Sequence, residues 1–390
     1  MNKNLFLAVF SVLFAYGVAE ALATFCYVKG WIEPYSIWFL EKHGPGISHV
    51  SFDPVIGYRL SSRPTRMGAY TTVGGVQTWA SSRGNNLGFP DFEDFNLKRS
   101  HENQIRVAVF GDSFSASQYL SKPWPEQAEE LLERRGLPIE IMNFSIDGGG
   151  LGNWWSTIVG LIEKEKMEID AFVFAVWSTD LNRSFMLWDD EAYLELNWPQ
   201  AEVGAQYMQD WDTNKFPKSR DELILGPLKR FFLLSSNEVD LLLAGKLSLP
   251  TDRNWDPFLW KLFWHQVTPV AQADNDSIPP PLGGFSDPGK LKLIQEIRTF
   301  AEGRRIKIFV VNNADNYFDG VGFANLLDAE MIDGSQVYNR LRSFSQGNYF
   351  IPLDGHFMQK GADQFADFMA EKIEHWYRSG KFQITSRPGQ

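Results

Sequence analysis

Ile105-Arg106-Val107-Ala108-Val109-Phe110-Gly111-Asp112-Ser113 is the stretch from which the rest of the chain is read. Its first six residues form a short apolar run that stops at a glycine, the pattern of a strand buried on both faces of a parallel sheet. Ile139–Phe144, Ala171–Val176 and Ile306–Val311 repeat that pattern, and Tyr349-Phe350-Ile351 is a shorter fifth run. Helical spacing falls between them, from about Pro125 to Arg135 before Gly136 and from Asn153 to Lys166. A third helix is predicted to start at the cap Ser286-Asp287-Pro288 and to bury Leu291, Ile294, Ile297 and Ala301. A closing helix is expected from Gly361 to Arg378. Alternation of apolar strands with helices predicts an α/β, flavodoxin-like three-layer fold, with a parallel sheet of about five strands covered on both faces.

Such sheets bind ligands outside the carboxyl ends of their strands, and chemistry-bearing residues cluster at three of these ends. After the first run comes Gly111-Asp112-Ser113-Phe114-Ser115, which puts a serine hydroxyl on a strand-to-helix turn. After the second comes Asn143-Phe144-Ser145-Ile146-Asp147-Gly148-Gly149-Gly150, whose glycines let backbone N–H groups approach a substrate oxygen. After the fifth comes Asp354-Gly355-His356, a general base with an acidic neighbour to orient it. Each of these has a plain structural reading too: a lone Gly-Asp-Ser is a common turn, and three glycines also make a flexible one.

Taken in order, FGDSFS, NFSIDGGG, WSTD and the late DGHF followed by Gly361 resemble the sequence blocks of SGNH (GDSL-like) hydrolases. The bacterial branch with an N-terminal membrane segment is the nearest in pattern, since Asp53-Pro54-Val55-Ile56-Gly57-Tyr58 and Asn86-Leu87-Gly88-Phe89 precede the first strand. The resemblance covers roughly residues 50–184 and 286–378. It implies a serine esterase with Ser113 as nucleophile and first oxyanion donor, Gly148 as second donor, and His356 as base oriented by Asp354. Two positions depart from the family pattern. Thr179-Asp180 stands where the family has Asn-Asp, so the third oxyanion donor would be Thr179, with Asn182 or Asn153 as substitutes. Only Gly355 separates Asp354 from His356, where the family usually has two residues.

Composition narrows the partners. The chain has 390 residues, 44% hydrophobic and 22% charged, as a globular protein does. Its 37 basic and 48 acidic side chains leave a formal charge of −11, which argues against a nucleic-acid partner. The lone Cys26 allows no disulfide within the chain, and none of the six histidines pairs at metal-ligand spacing, so neither metal nor other cofactor is expected.

Residues 1–31 are expected to be a membrane anchor, because residues 4–31 carry only Glu20 and Lys29 as charges. A cleaved signal segment ending near Ala21-Leu22-Ala23 is the alternative, and both place the remainder outside the cytoplasm, in the periplasm of a bacterium. Residues 32–100 are expected to be an irregular lead-in packed on the catalytic domain, which comprises 101–184 and 286–390. Residues 185–285, rich in tryptophan, are expected to be an insertion with its own core or a lid over the strand ends. The substrate expected is an acylated glycan or lipid. An O-acetyltransferase acting on a cell-envelope or exported polysaccharide would share the acyl-enzyme, and a non-catalytic glycan-binding protein would explain the departures at Thr179 and Asp354.

Overall fold

The computed structural model describes residues 7, 10–12, 14–19, 21–22, 36–41, 50–53, 55–71, 75–177, 180–181, 183, 185–188, 193–196, 247–248, 288–313, 317–344, 349–351 and 354–382. The lead-in, expected to be irregular, carries strands β1 (Ser36–Glu41), β2 (Val50–Asp53), β3 (Gly57–Leu60), β4 (Thr65–Thr71) and β5 (Gly75–Ser82). β2 and β3 form an antiparallel hairpin whose turn is set by Asp53, which accepts the N–H groups of Val55 and Ile56 at 2.8 and 3.0 Å. β1, β4 and β5 make a separate antiparallel sheet. In β4 and β5 Gly, Ser and Thr hide the strand pattern, because small polar residues carry little of the apolar alternation that marks a strand.

The chain from residue 105 onward follows the alternation read from the sequence. β6 (Ile105–Phe110) leads into a short helix α1 (Ser113–Ala116) and then α2 (Trp124–Arg134). β7 (Ile139–Asn143) is followed by α3 (Leu151–Thr157), which widens into a π-helical stretch, Ile158–Glu163. After β8 (Ala171–Val176) come β9 (Phe185–Trp188), β10 (Tyr193–Leu196) and β11 (Leu247–Ser248), the last pairing with β1. α4 (Pro288–Arg304), β12 (Lys307–Asn312), α5 (Tyr317–Leu327), β13 (Glu330–Asp333), α6 (Ser335–Phe344) and α7 (Gln359–Arg378) complete the chain.

The central sheet is parallel, five-stranded and ordered β13-β12-β8-β6-β7, the doubly wound order 2-1-3-4-5 in which ligands sit where the order reverses. Every residue of β6 and β8 is buried, and successive side chains feed two separate cores. Val107, Val109, Val173 and Ala175 pack with α2 and α7, whereas Ala108, Phe110, Phe172 and Phe174 pack with α3, α4 and α5. Arg106 breaks the apolar run yet is fully buried. Its guanidinium donates to Glu140 on β7 and to the carbonyls of Asn96, Leu97 and Glu168, so all its donors are satisfied.

One strand assignment is corrected. The fifth strand is β13, paired in parallel with β12, and not Tyr349-Phe350-Ile351. Those residues are apolar because Phe350 and Ile351 enter the core beneath α7, and Phe350 makes only an isolated antiparallel bridge with Phe357. His356 therefore sits on a loop folded back on residues 349–351, its carbonyl accepting the Ile351 N–H at 2.8 Å. Most of the 185–285 insertion lies outside the described residues, so its tryptophans other than Trp188, and the lid, are not placed. Its first turn belongs to the core: Phe185 and Met186 are buried, and β9 packs on β2, β3 and α3.

Candidate active site

Ser113 opens α1 one residue beyond its cap. Asp112 supplies that cap, with Oδ1 accepting the Phe114 N–H at 3.0 Å. Gly111 must be a glycine here, since a Cβ on it would stand 2.6 Å from the Ser115 hydroxyl. That hydroxyl is in turn held by Trp124 Nε1 at 3.1 Å. The turn carrying Ser113 is thus packed from below by a buried Trp–Ser contact and capped from above by a buried carboxylate.

The late motif meets it across 243 residues of sequence: Ser113 Oγ lies 2.6 Å from His356 Nε2. Asp354 Oδ1 contacts the other ring nitrogen, Nδ1, and also accepts the His356 backbone N–H at 3.2 Å. With the carboxylate accepting the Nδ1 proton, Nε2 is the bare nitrogen that faces the serine hydroxyl. Phe114 stacks on the imidazole with centroids 4.5 Å apart and 15° between planes, and Tyr119 meets its edge. Burial acts most strongly on His356 and lowers its pKa. The Asp354 hydrogen bond and charge, helped by Asp112 and Asp147, outweigh it and raise the value above the ordinary one for histidine.

The glycine turn lies beside this pair. Gly148 takes φ +71°, a left-handed conformation that favours glycine. The turn is held from both sides, by Asn143 and by Tyr58. Asn143, fully enclosed, donates its amide to the Ser115 carbonyl at 3.0 Å and accepts the Ser145 N–H at 3.1 Å, which ties the end of β7 to α1. Tyr58, from the lead-in hairpin, accepts the Asp147 N–H at 2.6 Å next to Gly148.

Beyond β8, Asp180 is buried and accepts the Trp177 N–H at 2.8 Å. Burial first, and then the neighbouring Asp112 charge, push its carboxyl well above the usual range, against the pull of Arg183. Thr179 and Asn182 lie outside the described residues. Asn153, the other substitute for the third oxyanion donor, is committed elsewhere: its amide donates to Met186 and Ile56 carbonyls at 2.8 and 3.2 Å, and its Oδ1 accepts the Met186 N–H. The structure thus brings Ser113, His356 and Asp354 together; Tyr58 and Phe114 lie inside quoted blocks but were assigned no role from the sequence, and Arg183 lies in none. Among the described residues no group of three or more His, Cys, Asp or Glu is arranged to hold a metal ion.

No family model matches the chain, and no curated protein sequence matches it. Among solved structures it is similar to the psychrotrophic esterase EstA from Pseudoalteromonas sp., at 9% identity over 70% of this chain and 98% of that one, with a TM-score of 0.35. It is also similar to the acetyl xylan esterase AlAXEase (13% identity, 69% and 100% covered, TM-score 0.33) and to a lipase/acylhydrolase from Enterococcus faecalis (10% identity, 70% and 96% covered, TM-score 0.33). At these identities and TM-scores the likeness assigns no activity to this chain.

Proposed function

We propose that this chain is a serine hydrolase of the SGNH type, cleaving ester bonds through an acyl-enzyme on Ser113. The observation that carries this reading is the 2.6 Å contact between Ser113 Oγ and His356 Nε2, with Asp354 on the opposite ring nitrogen. His356 Nε2 takes the hydroxyl proton as Oγ attacks the ester carbonyl carbon. The imidazolium, steadied by Asp354, then protonates the leaving alcohol. Water attacks the acyl-enzyme with His356 again accepting a proton, which releases the acid and restores the serine. Backbone N–H groups of Ser113 and Gly148 are the proposed oxyanion donors, and the Thr179 hydroxyl is the proposed third.

The acyl group is proposed to come from a glycan or lipid outside the cytoplasm. Supporting a membrane location, the helical residues between 7 and 22 leave Leu7, Phe10, Val12, Phe14, Tyr16, Val18 and Leu22 exposed, apolar surface that a bilayer would cover. No helix of the described residues is itself long and apolar enough to cross a membrane. The catalytic reading is tested with p-nitrophenyl acetate and a fluorophosphonate probe. Ser113→Ala is expected to abolish both turnover and labelling while its melting curve stays close to that of the unaltered protein. Labelling that persists in Ser113→Ala overturns the reading.

A further inference from the structure

We infer that Arg183 is a positioning residue that keeps the nucleophile turn and the glycine turn in register; the inference rests on the hydrolase reading above. Arg183 follows β8 and reaches back with one nitrogen, Nη1, which lies 3.1 Å from Asp180 Oδ1 and 3.4 Å from Asp112 Oδ2. Asp112 is the cap of α1, and its Oδ1 is already engaged by the Phe114 N–H, so Oδ2 is the atom left for the arginine. Asp180 divides its two oxygens in the same way, between the Trp177 N–H and Arg183. Asp112 and Asp180 are crowded into one buried spot, where each side-chain oxygen needs a polar partner. A guanidinium nitrogen shared between them lets both stay, and with them the geometry of the cap that aims Ser113.

The other side of the same residue touches the glycine turn. A Cβ placed on Gly150 would stand 2.6 Å from the Arg183 Cβ and 2.6 Å from its carbonyl oxygen, so the backbone at 183 is pressed directly onto the end of the Gly148–Gly150 turn. Arg183 therefore contacts the element that carries the nucleophile and the element that carries the second proposed oxyanion donor. A shift of either changes the distance from Ser113 Oγ to the point where the oxyanion forms, and misplacements of about 1 Å can cost about 100-fold in rate. Arg183 acts through Asp112 and Gly150, so its loss should appear in kcat and leave KM nearly unmoved.

The full chain, assayed on p-nitrophenyl acetate and by the rate of fluorophosphonate labelling, tests this. Arg183→Met is expected to lower kcat and the labelling rate by roughly 10- to 100-fold with little change in KM. Arg183→Lys should stay well above Arg183→Met, because a single nitrogen makes both carboxylate contacts. The double variant Asp180→Asn/Arg183→Met, which replaces the buried acid left without its arginine by a neutral amide, should recover part of the loss. If the unaltered protein neither turns over ester nor takes the probe, the hydrolase reading falls. If it does both and Arg183→Met matches it in kcat and labelling rate, the role of Arg183 alone is overturned. Should Arg183→Met fail to fold, a folded double variant with unaltered kcat overturns it equally.

Discussion

Asp354 Oδ1 accepts two N–H groups of His356, the backbone one at 3.2 Å and the ring Nδ1, across the single residue Gly355. Spacing this short works because Gly355 takes φ +92°, which folds the chain back so that a carboxylate can reach the imidazole two residues on. The one-residue gap that departs from the family pattern is therefore compatible with Asp354 orienting the base, which weakens the case for a non-catalytic binding protein.

A pH dependence follows from that contact. Turnover needs neutral His356, so kcat/KM should rise with pH along a limb whose midpoint lies above about 6.5, the ordinary value for histidine. Asp354→Asn removes the largest of the influences that raise the pKa and leaves burial, which lowers it. The limb should move to lower pH while the plateau rate falls. A limb that stays in place in a folded Asp354→Asn protein would show that Asp354 does not act on the base.

Glu129 gives a stability prediction of opposite interest. Its carboxyl on α2 is pushed up to about 10 by burial, and further by Asp91, Glu93 and Glu126. The folded state therefore holds a proton that the unfolded chain releases near pH 4.3. Stability is full below that value and is lost as pH rises toward 10. Glu129→Gln keeps the shape without the titration, so melting temperatures at pH 5, 7 and 9 should fall less steeply than those of the unaltered protein. Parallel slopes would refute the assignment.

Arg106 offers a test of the core. Arg106→Leu removes the charge partner of Glu140 and strips a donor from the carbonyls of Asn96, Leu97 and Glu168, while the side chain itself is fully buried. The expected cost is about 3–5 kcal/mol of unfolding free energy. Denaturant titration of Arg106→Leu against Glu140→Gln/Arg106→Leu should show the double variant recovering part of that loss. A single variant within about 0.5 kcal/mol of the unaltered protein contradicts the assigned role.

These residues also show how far the sequence could be read. β6, β7 and β8 were legible because strands buried on both faces leave continuous apolar runs, and Ser113, Gly148 and His356 were legible because each follows such a run or sits in a short motif. β13 was not, since Glu330-Met331-Ile332-Asp333 is a half-covered edge strand with one fully buried side chain. The run at 349–351 misled because it is apolar for packing in the core, a reason that hydrophobicity alone does not separate from sheet formation. Tyr58 lies in a quoted block that gave it no role, and Arg183 lies in none. They meet their partners Asp147 and Asp112 across 89 and 71 residues, and no local pattern encodes a contact of that span.

Tyr58 is the sharpest remaining test of the glycine turn. Its hydroxyl, carried in by the lead-in hairpin, accepts the Asp147 N–H at 2.6 Å and the Gln118 amide at 3.2 Å, with the ring almost wholly buried. Tyr58→Phe keeps the ring and its packing and removes only the hydroxyl, with the two bonds it accepts. The Asp147 N–H then has to find another partner or stay unpaired, at a cost of about 1–3 kcal/mol. Because Gly148 is the next residue, the turn can recover that energy by rotating toward water, which swings the Gly148 N–H away from the oxyanion. Turnover should fall by roughly 10-fold or more with KM little changed, since the interaction lost is one made mainly in the transition state. Gln118→Ala, which removes a neighbouring bond to the same hydroxyl without touching Asp147, should cost stability and leave kcat much less affected. Equal kcat losses in the two variants would mean that the hydroxyl supports the fold generally and does not aim the turn.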